Sequence, residues 1–183
     1  MTQEKKFKRR KLFDKKYIPR ERRKTRLMLF IIFWGIIFTY ATKTFVLNLE
    51  VIQGPSMYPT CKEGEYYLVN KFIYNFAKPR RKDVVIIRDI KLKKDELIKR
   101  VIGIPGDILQ IKAGRVYLNR ELLQEPYVKT RTFPDIGPLM VLKDMYFVMG
   151  DNRENSYDSR HFGFVEKSDI KGKLAPDRLF LFK

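Results

Sequence analysis

The sequence predicts a mainly β protein: a single N-terminal transmembrane helix followed by an all-β domain of two small sheets or a partly open barrel. Three observations predict it. An uncharged apolar run, LMLFIIFWGIIFTYAT, fills residues 27–42, and it lacks the polar face that a soluble helix carries over four turns. Beyond it, short alternating or apolar runs recur, broken by Gly, Pro and Asp. No long helical periodicity interrupts them, which leaves sheet as the way to build a core.

The chain has 183 residues, room for one medium domain plus an appendage. Its net charge of +18 invites a nucleic-acid reading. That charge is unevenly placed. Residues 1–26 hold 13 Lys/Arg against 3 Asp/Glu, more than half of the excess. Such a run reads as a solvated tail that meets polyanions or a membrane surface. The apolar run at 27–42 covers roughly 24 Å as a helix, short of a ~30 Å hydrocarbon core. If Lys43 snorkels to the interface, the span runs 27–47 and reaches about 31 Å. The run exceeds a ~7–15-residue signal-peptide core, and no clean small-x-small site follows, so it reads as a retained anchor. Lys/Arg-rich flanks stay in the cytoplasm. The tail is therefore expected inside a cell membrane and residues 48–183 outside, with the bilayer as a partner and no nucleic acid.

In the outer part, EYYLVNKF (65–72), DVVIIRD (83–89), LIKRVIGI (97–104), DILQIKAGRVYLN (107–119) and MYFVMGD (145–151) read as strands. The Ala-Gly pair within 107–119 marks a hairpin. Pro and Gly in IPGD (104–107) mark a turn. The segment 129–144, with FPDIGP, reads as a surface loop.

One cysteine, Cys61, excludes an intramolecular disulfide. One Cys and one His cannot fill a four-ligand Cys/His metal site, so no metal or cofactor is expected. Three stretches carry chemistry. In VIQGPSMYPTC (51–61), Ser56 stands between a proline and a methionine, with a second proline three residues on. It is either a nucleophile or part of a stiff turn. Its proton acceptor is His161, Lys99 or nothing. His161 lies beside Asp158 in DSRHFGFV and also reads as an ordinary surface histidine. Lys99, in ELIKRVIGIPGD, shares a strand face with Leu97 and Val101, while Ile98, Arg100 and Ile102 face the other way. A free lysine titrates near about 10.4, too high for a base at neutrality. An apolar pocket favours the neutral amine, which can then serve a serine as general base. The third stretch, GDNRENSYDSRHFGFV (150–165), is dense in hydrogen-bonding groups. There Ser156 can orient the Lys99 amine and Asp158 can pair with Arg160, or the whole is a solvated loop.

These stretches, in this order behind one apolar anchor, closely resemble the bacterial type I signal peptidases (leader peptidases). GPSMYPT is similar to the family's serine box, RRKDVVII to its following strand, IKRVIGIPGD to its lysine box and GDNRENSYDSRHFGFV to its last box. EPYV (125–128) is similar to a minor family feature. The resemblance covers roughly 50–128 and 144–173 and implies the signal-peptidase-like fold. It implies a membrane-anchored serine endopeptidase that removes signal peptides from exported preproteins after small residues, at A-x-A sites, through an acyl-enzyme. By the same resemblance Ser56 is the nucleophile and Lys99 the general base. Ser156 orients the lysine, and Asp158 and Arg160 are the supporting pair. The Ser56 backbone N–H is then one oxyanion donor. Some members place a serine two positions before the nucleophile as second donor; here that position is Gly54. Substrate is expected to bind as an added strand, with Ile52, Met57, Leu97 and Ile98 as candidate pocket walls that read equally as core.

Two other readings compete. A membrane-tethered module binding anionic lipid or polymer rests on charge alone, and most of that charge belongs to the tail. A self-cleaving Ser/Lys regulator needs a DNA-binding N-terminal domain, and its one Ala-Gly, Ala113-Gly114, falls after the catalytic residues in a predicted hairpin.

Overall fold

The computed structural model describes residues 20–45, 47–88 and 96–178. The tail up to residue 19, Asp89 of the second predicted strand and the end of the chain lie outside them. The chain divides into two compact units, one ending at Thr42 and one beginning at Lys43.

Helix α1, Arg20–Phe45, fills the described part of the first unit and ends within the first residues of the second. It starts seven residues before the apolar run, because the arginines and lysines that precede Leu27 are themselves good helix formers. The run's large side chains stand exposed, Phe38 at 71% and Ile36 at 64%. Among the described residues, no helix is long and apolar enough to cross a membrane. The predicted span of 27–47 is also too long at its end: Leu47 opens the first strand of the second unit.

The second unit is built from antiparallel pairs. Its strands are β1 (Leu47–Val51), β2 (Tyr66–Asn70), β3 (Val84–Arg88), β4 (Glu96–Gly103), β5 (Ile108–Lys112), β6 (Arg115–Leu118), β7 (Glu121–Leu122), β8 (Ile136–Met140), β9 (Met145–Met149), β10 (Val165–Glu166) and β11 (Ile170–Arg178). One sheet runs β1-β2-β11-β3-β4-β9-β10 and a smaller one β7-β6-β5-β8. The two-sheet expectation therefore holds. Each predicted stretch coincides with observed strand: 97–104 is shifted by one residue from β4, and 107–119 holds both β5 and β6. The β5–β6 hairpin turns at Ala113 and Gly114, both with positive φ (53° and 76°), the twist that a two-residue hairpin requires. One expectation fails: 129–144 is not simply a loop, because β8 pairs with β5 through Ile136↔Ile111 and Leu139↔Leu109.

Among the described residues, three apolar clusters form the core. One gathers Tyr74, Val85, Ile87, Val101, Tyr146 and Val148. A second lies under the small sheet around Leu109, Val116 and Phe147. The third joins Ile52, Met57, Cys61, Tyr67, Val69, Ile86 and Leu174. This third cluster matters for the site, because its first three members belong to the serine stretch.

Candidate active site

The serine stretch folds into a turn after β1. Tyr58 N–H bonds the Pro55 carbonyl at 3.0 Å and Cys61 N–H the Met57 carbonyl at 2.9 Å. Ile52 and Met57 are 2% and 1% exposed, so the turn is fastened to the core on both sides of Ser56. Cys61 is equally buried, and that burial pushes its thiol up to about 11. A thiol so reluctant to ionise is no rival nucleophile.

β4 lies between β3 and β9, with Val85 opposite Lys99. Lys99 is only 3% exposed. Its Nζ contacts Ser56 Oγ at 3.0 Å and donates to the Ile98 carbonyl at 3.0 Å. Of the two candidate acceptors for Ser56, the structure brings up the lysine. His161 is 45% exposed, stacks on Tyr157 at 5.2 Å and accepts from the Asp158 backbone N–H at 3.4 Å.

The stretch 150–160 is not a solvated loop. Asp151, Arg153, Asp158 and Ser159 are all at most 3% exposed. Glu154 stays exposed, but the buried charges each have a charged partner. Arg100 donates to Asp151 through Nε (2.8 Å) and one terminal nitrogen (2.6 Å). Thr60 Oγ1 donates to the same carboxylate at 2.5 Å. The Arg100 guanidinium also lies 4.1 Å over the Tyr127 ring. Arg153 grips Glu125 with both terminal nitrogens, at 3.1 and 2.5 Å. Arg160 grips Asp158 at 2.8 Å through Nε and again at 2.8 Å through a terminal nitrogen. Asp158 also caps the short helix α2, Ser159–Phe162, and accepts the Gly150 N–H at 3.0 Å. Burial pushes its pKa up, but Arg160 and the Gly150 N–H outweigh burial and hold it below its usual value.

Ser156 departs from expectation. Its Oγ is buried and makes no hydrogen bond, so the orienting contact to Lys99 is not formed. The hydroxyl packs over Gly150 instead. A Cβ on that residue would sit 2.2 Å from Ser156 Oγ and 2.5 Å from the Ser56 carbonyl oxygen. Ser156 thus fills the hollow that a side chain at 150 would occupy.

Sequence reasoning missed several residues. Asn152 donates its backbone N–H to the Ser56 carbonyl at 3.0 Å and its Nδ2 to the Pro55 carbonyl at 3.2 Å. Gly150, Arg100, Asp151 and Thr60 complete this joint between the serine turn and the loop. The signal was present in the adjacent Lys-Arg on β4 and the Gly-Asp-Asn after β9, but pairing across fifty positions has no local signature. Among the wall candidates, Ile52, Met57 and Ile98 share one cluster. Leu97 packs into another, since pleating sends neighbours on a strand to opposite faces.

Comparison with known proteins gives the family. The family model described as "Signal peptidase, peptidase S26" matches residues 24–176. "Signal peptidase I P" of Bacillus subtilis subsp. natto is 36% identical over 174 residues, covering 88% of this chain and 91% of its own. "Signal peptidase I" of Leptolyngbya laminosa is 35% identical over 148 residues, covering 77% and 73%. A crystal structure of a signal peptidase I from Enterococcus faecalis V583 aligns at 32% identity with a TM-score of 0.49, covering 54% of this chain and 98% of that one. With a family model spanning most of its length and type I enzymes among its relatives, the chain belongs to the signal peptidases of peptidase family S26, serine endopeptidases that remove signal peptides.

Proposed function

We propose that the chain cuts exported preproteins after small residues, at A-x-A sites, with Ser56 as nucleophile and Lys99 as general base. The observation that supports this most directly is the 3.0 Å contact between Lys99 Nζ and Ser56 Oγ, on a lysine almost wholly removed from water. Such a setting disfavours the ammonium form. The neutral amine takes the Oγ proton as Oγ attacks the scissile carbonyl carbon. The Ser56 N–H donates to the oxyanion that forms. The C–N bond then breaks, and the lysine ammonium returns its proton to the leaving amine. Water, deprotonated by the same lysine, hydrolyses the acyl-enzyme. Ser156 Oγ meets no partner at hydrogen-bonding geometry, and in this reading it turns to the amine once substrate is seated. Asp158 and Arg160 hold the backbone on either side of that serine.

Substrate adds as a strand beside the serine turn and β4. Ile52 and Met57 expose only slivers of surface, so walls made from them and Ile98 leave shallow depressions that admit alanine-sized side chains. Helix α1 serves as the anchor. Its exposed aromatic and aliphatic side chains between Leu27 and Tyr40 are of the kind that lipid covers. The tail then lies in the cytoplasm and residues 48–183 outside. The anchor keeps the site near the outer leaflet and raises its effective concentration toward membrane-bound preproteins.

The test uses the full chain in detergent and a preprotein with an A-x-A site. Ser56→Ala and Lys99→Ala should each abolish processing, His161→Ala should not, and the rate should climb toward alkaline pH. Full activity in Lys99→Ala would sink the proposal.

A further inference from the structure

We infer that Asn152 is a positioning residue for the oxyanion hole: its side-chain amide fixes the direction of the Ser56 N–H. This rests on the reading of Ser56 as nucleophile. The Pro55–Ser56 peptide is trans, the chain's cis bonds among the described residues lying at Tyr58–Pro59 and Phe133–Pro134. In a planar trans peptide the carbonyl of one residue and the N–H of the next point in opposite directions. Whatever holds the Pro55 oxygen therefore aims the Ser56 N–H.

Two donors hold that oxygen. Tyr58 N–H reaches it at 3.0 Å, but Tyr58 belongs to the same turn and tilts with it. Asn152 Nδ2 reaches it at 3.2 Å from a different element. That element is immobilised by Asp151 on Arg100 and by Arg153 on Glu125. Asn152 is thus the outside reference for the peptide plane, and its own N–H fixes the next carbonyl, that of Ser56, at 3.0 Å. The tie matters more here because of the residue before Pro55. Gly54 sits at φ +79° with nothing within 4 Å of a would-be Cβ, so packing does not hold the turn there. It also has no hydroxyl to offer an oxyanion, which leaves more of the stabilisation to the Ser56 N–H.

Asn152→Ala and Asn152→Asp both keep the backbone bond to Ser56 and lose the side-chain donor. The aspartate also sets a carboxylate against the Pro55 carbonyl oxygen, which repels it and turns the peptide further from its aim. The full chain in detergent is assayed with an A-x-A preprotein and with a peptide boronate, which forms a tetrahedral adduct on serine. Loss of one hydrogen bond's worth of aim should lower kcat roughly tenfold in the alanine variant, and further in the aspartate variant. Boronate affinity should fall by the same factor. KM, the pH midpoint of kcat and the melting temperature should stay put, because the Lys99–Ser56 contact and the buried ion pairs are untouched. Unchanged kcat and boronate affinity would overturn the inference. So would a parallel loss of KM, boronate affinity and melting temperature, which marks a merely structural residue. Failure of the parent reading shows separately, as processing that survives Ser56→Ala.

Discussion

Gly150→Ala is the sharpest perturbation of this site that a single methyl group can make. The added Cβ would meet Ser156 Oγ at 2.2 Å, the Ser56 carbonyl oxygen at 2.5 Å and Ser156 Cβ at 2.6 Å. Ordinary contact begins near 3.4 Å, so the carbonyl is about 0.9 Å too close. Ser156 can turn its hydroxyl away, but the carbonyl is backbone, held by the Asn152 N–H. Either the serine turn or the loop must shift by close to 1 Å. A displacement of that size at a reacting group costs roughly 10²-fold in rate, while overpacking of this kind costs about 1–3 kcal/mol of stability. The expected variant is folded, somewhat less stable, and slower by about two orders of magnitude in kcat on an A-x-A preprotein. Gly137→Ala, on β8 with nothing within 4 Å of its Cβ, is the matched control and should behave as the parent. A folded Gly150→Ala enzyme working within threefold of the parent would refute the idea that this glycine seats the serine.

Two further outcomes follow from the buried ion pairs. Asp158 and Arg160 expose 0% and 2% of their side chains, so Asp158→Asn should cost about 3–5 kcal/mol at pH 7 by stranding the guanidinium. Because the folded carboxyl titrates below its unfolded value, the parent holds this stability above the ordinary carboxylate pKa near about 4 and loses it as pH falls further. The variant's urea midpoint should be flatter than the parent's below about pH 4, and equal acid slopes would count against the pair. Glu125→Ala strands Arg153, whose side chain is 0% exposed. Its cost should again be about 3–5 kcal/mol by denaturant unfolding, and a loss under about 1 kcal/mol would mean that water reaches the guanidinium.

The strands that were legible in the sequence are those whose side chains alternate between core and solvent or run unbroken through the core. β2, β5 and β6 alternate, and β3, β4 and β9 read as apolar runs. The strands that escaped lack that pattern for physical reasons. β8 reads Ile-Gly-Pro-Leu-Met, and its glycine and proline are the residues that usually end a strand. β11 carries Gly172 and Pro176, although it fills the place between β2 and β3. β1 follows the apolar helix so closely that hydropathy merges the two. At the site, Ser56 and Lys99 could be singled out by their surroundings, a hydroxyl in a rigid turn and an amine on an apolar face, but only the resemblance to the family gave them roles. Asn152 and Gly150 could not be singled out. Their importance lies in what they touch, and composition made their loop look like a surface.

That loop is where polar composition and burial part company, and the cause is pairing. Asp151, Arg153, Asp158 and Arg160 each form half of a two-pronged carboxylate–guanidinium contact. A hydrophobic core of the same volume would be as stable or more so, since desolvating such pairs offsets most of their attraction. What the pairs add is direction. Arg100 reaches the loop from β4 and also touches Thr60 at 3.2 Å, while its neighbour Lys99 reaches Ser56. Successive residues of one strand therefore hold the serine turn at positions 56 and 60, and the second of them holds the loop as well. The strand, the turn and the loop cannot move independently, which keeps the amine 3.0 Å from the hydroxyl, the alignment that the proposed reaction requires.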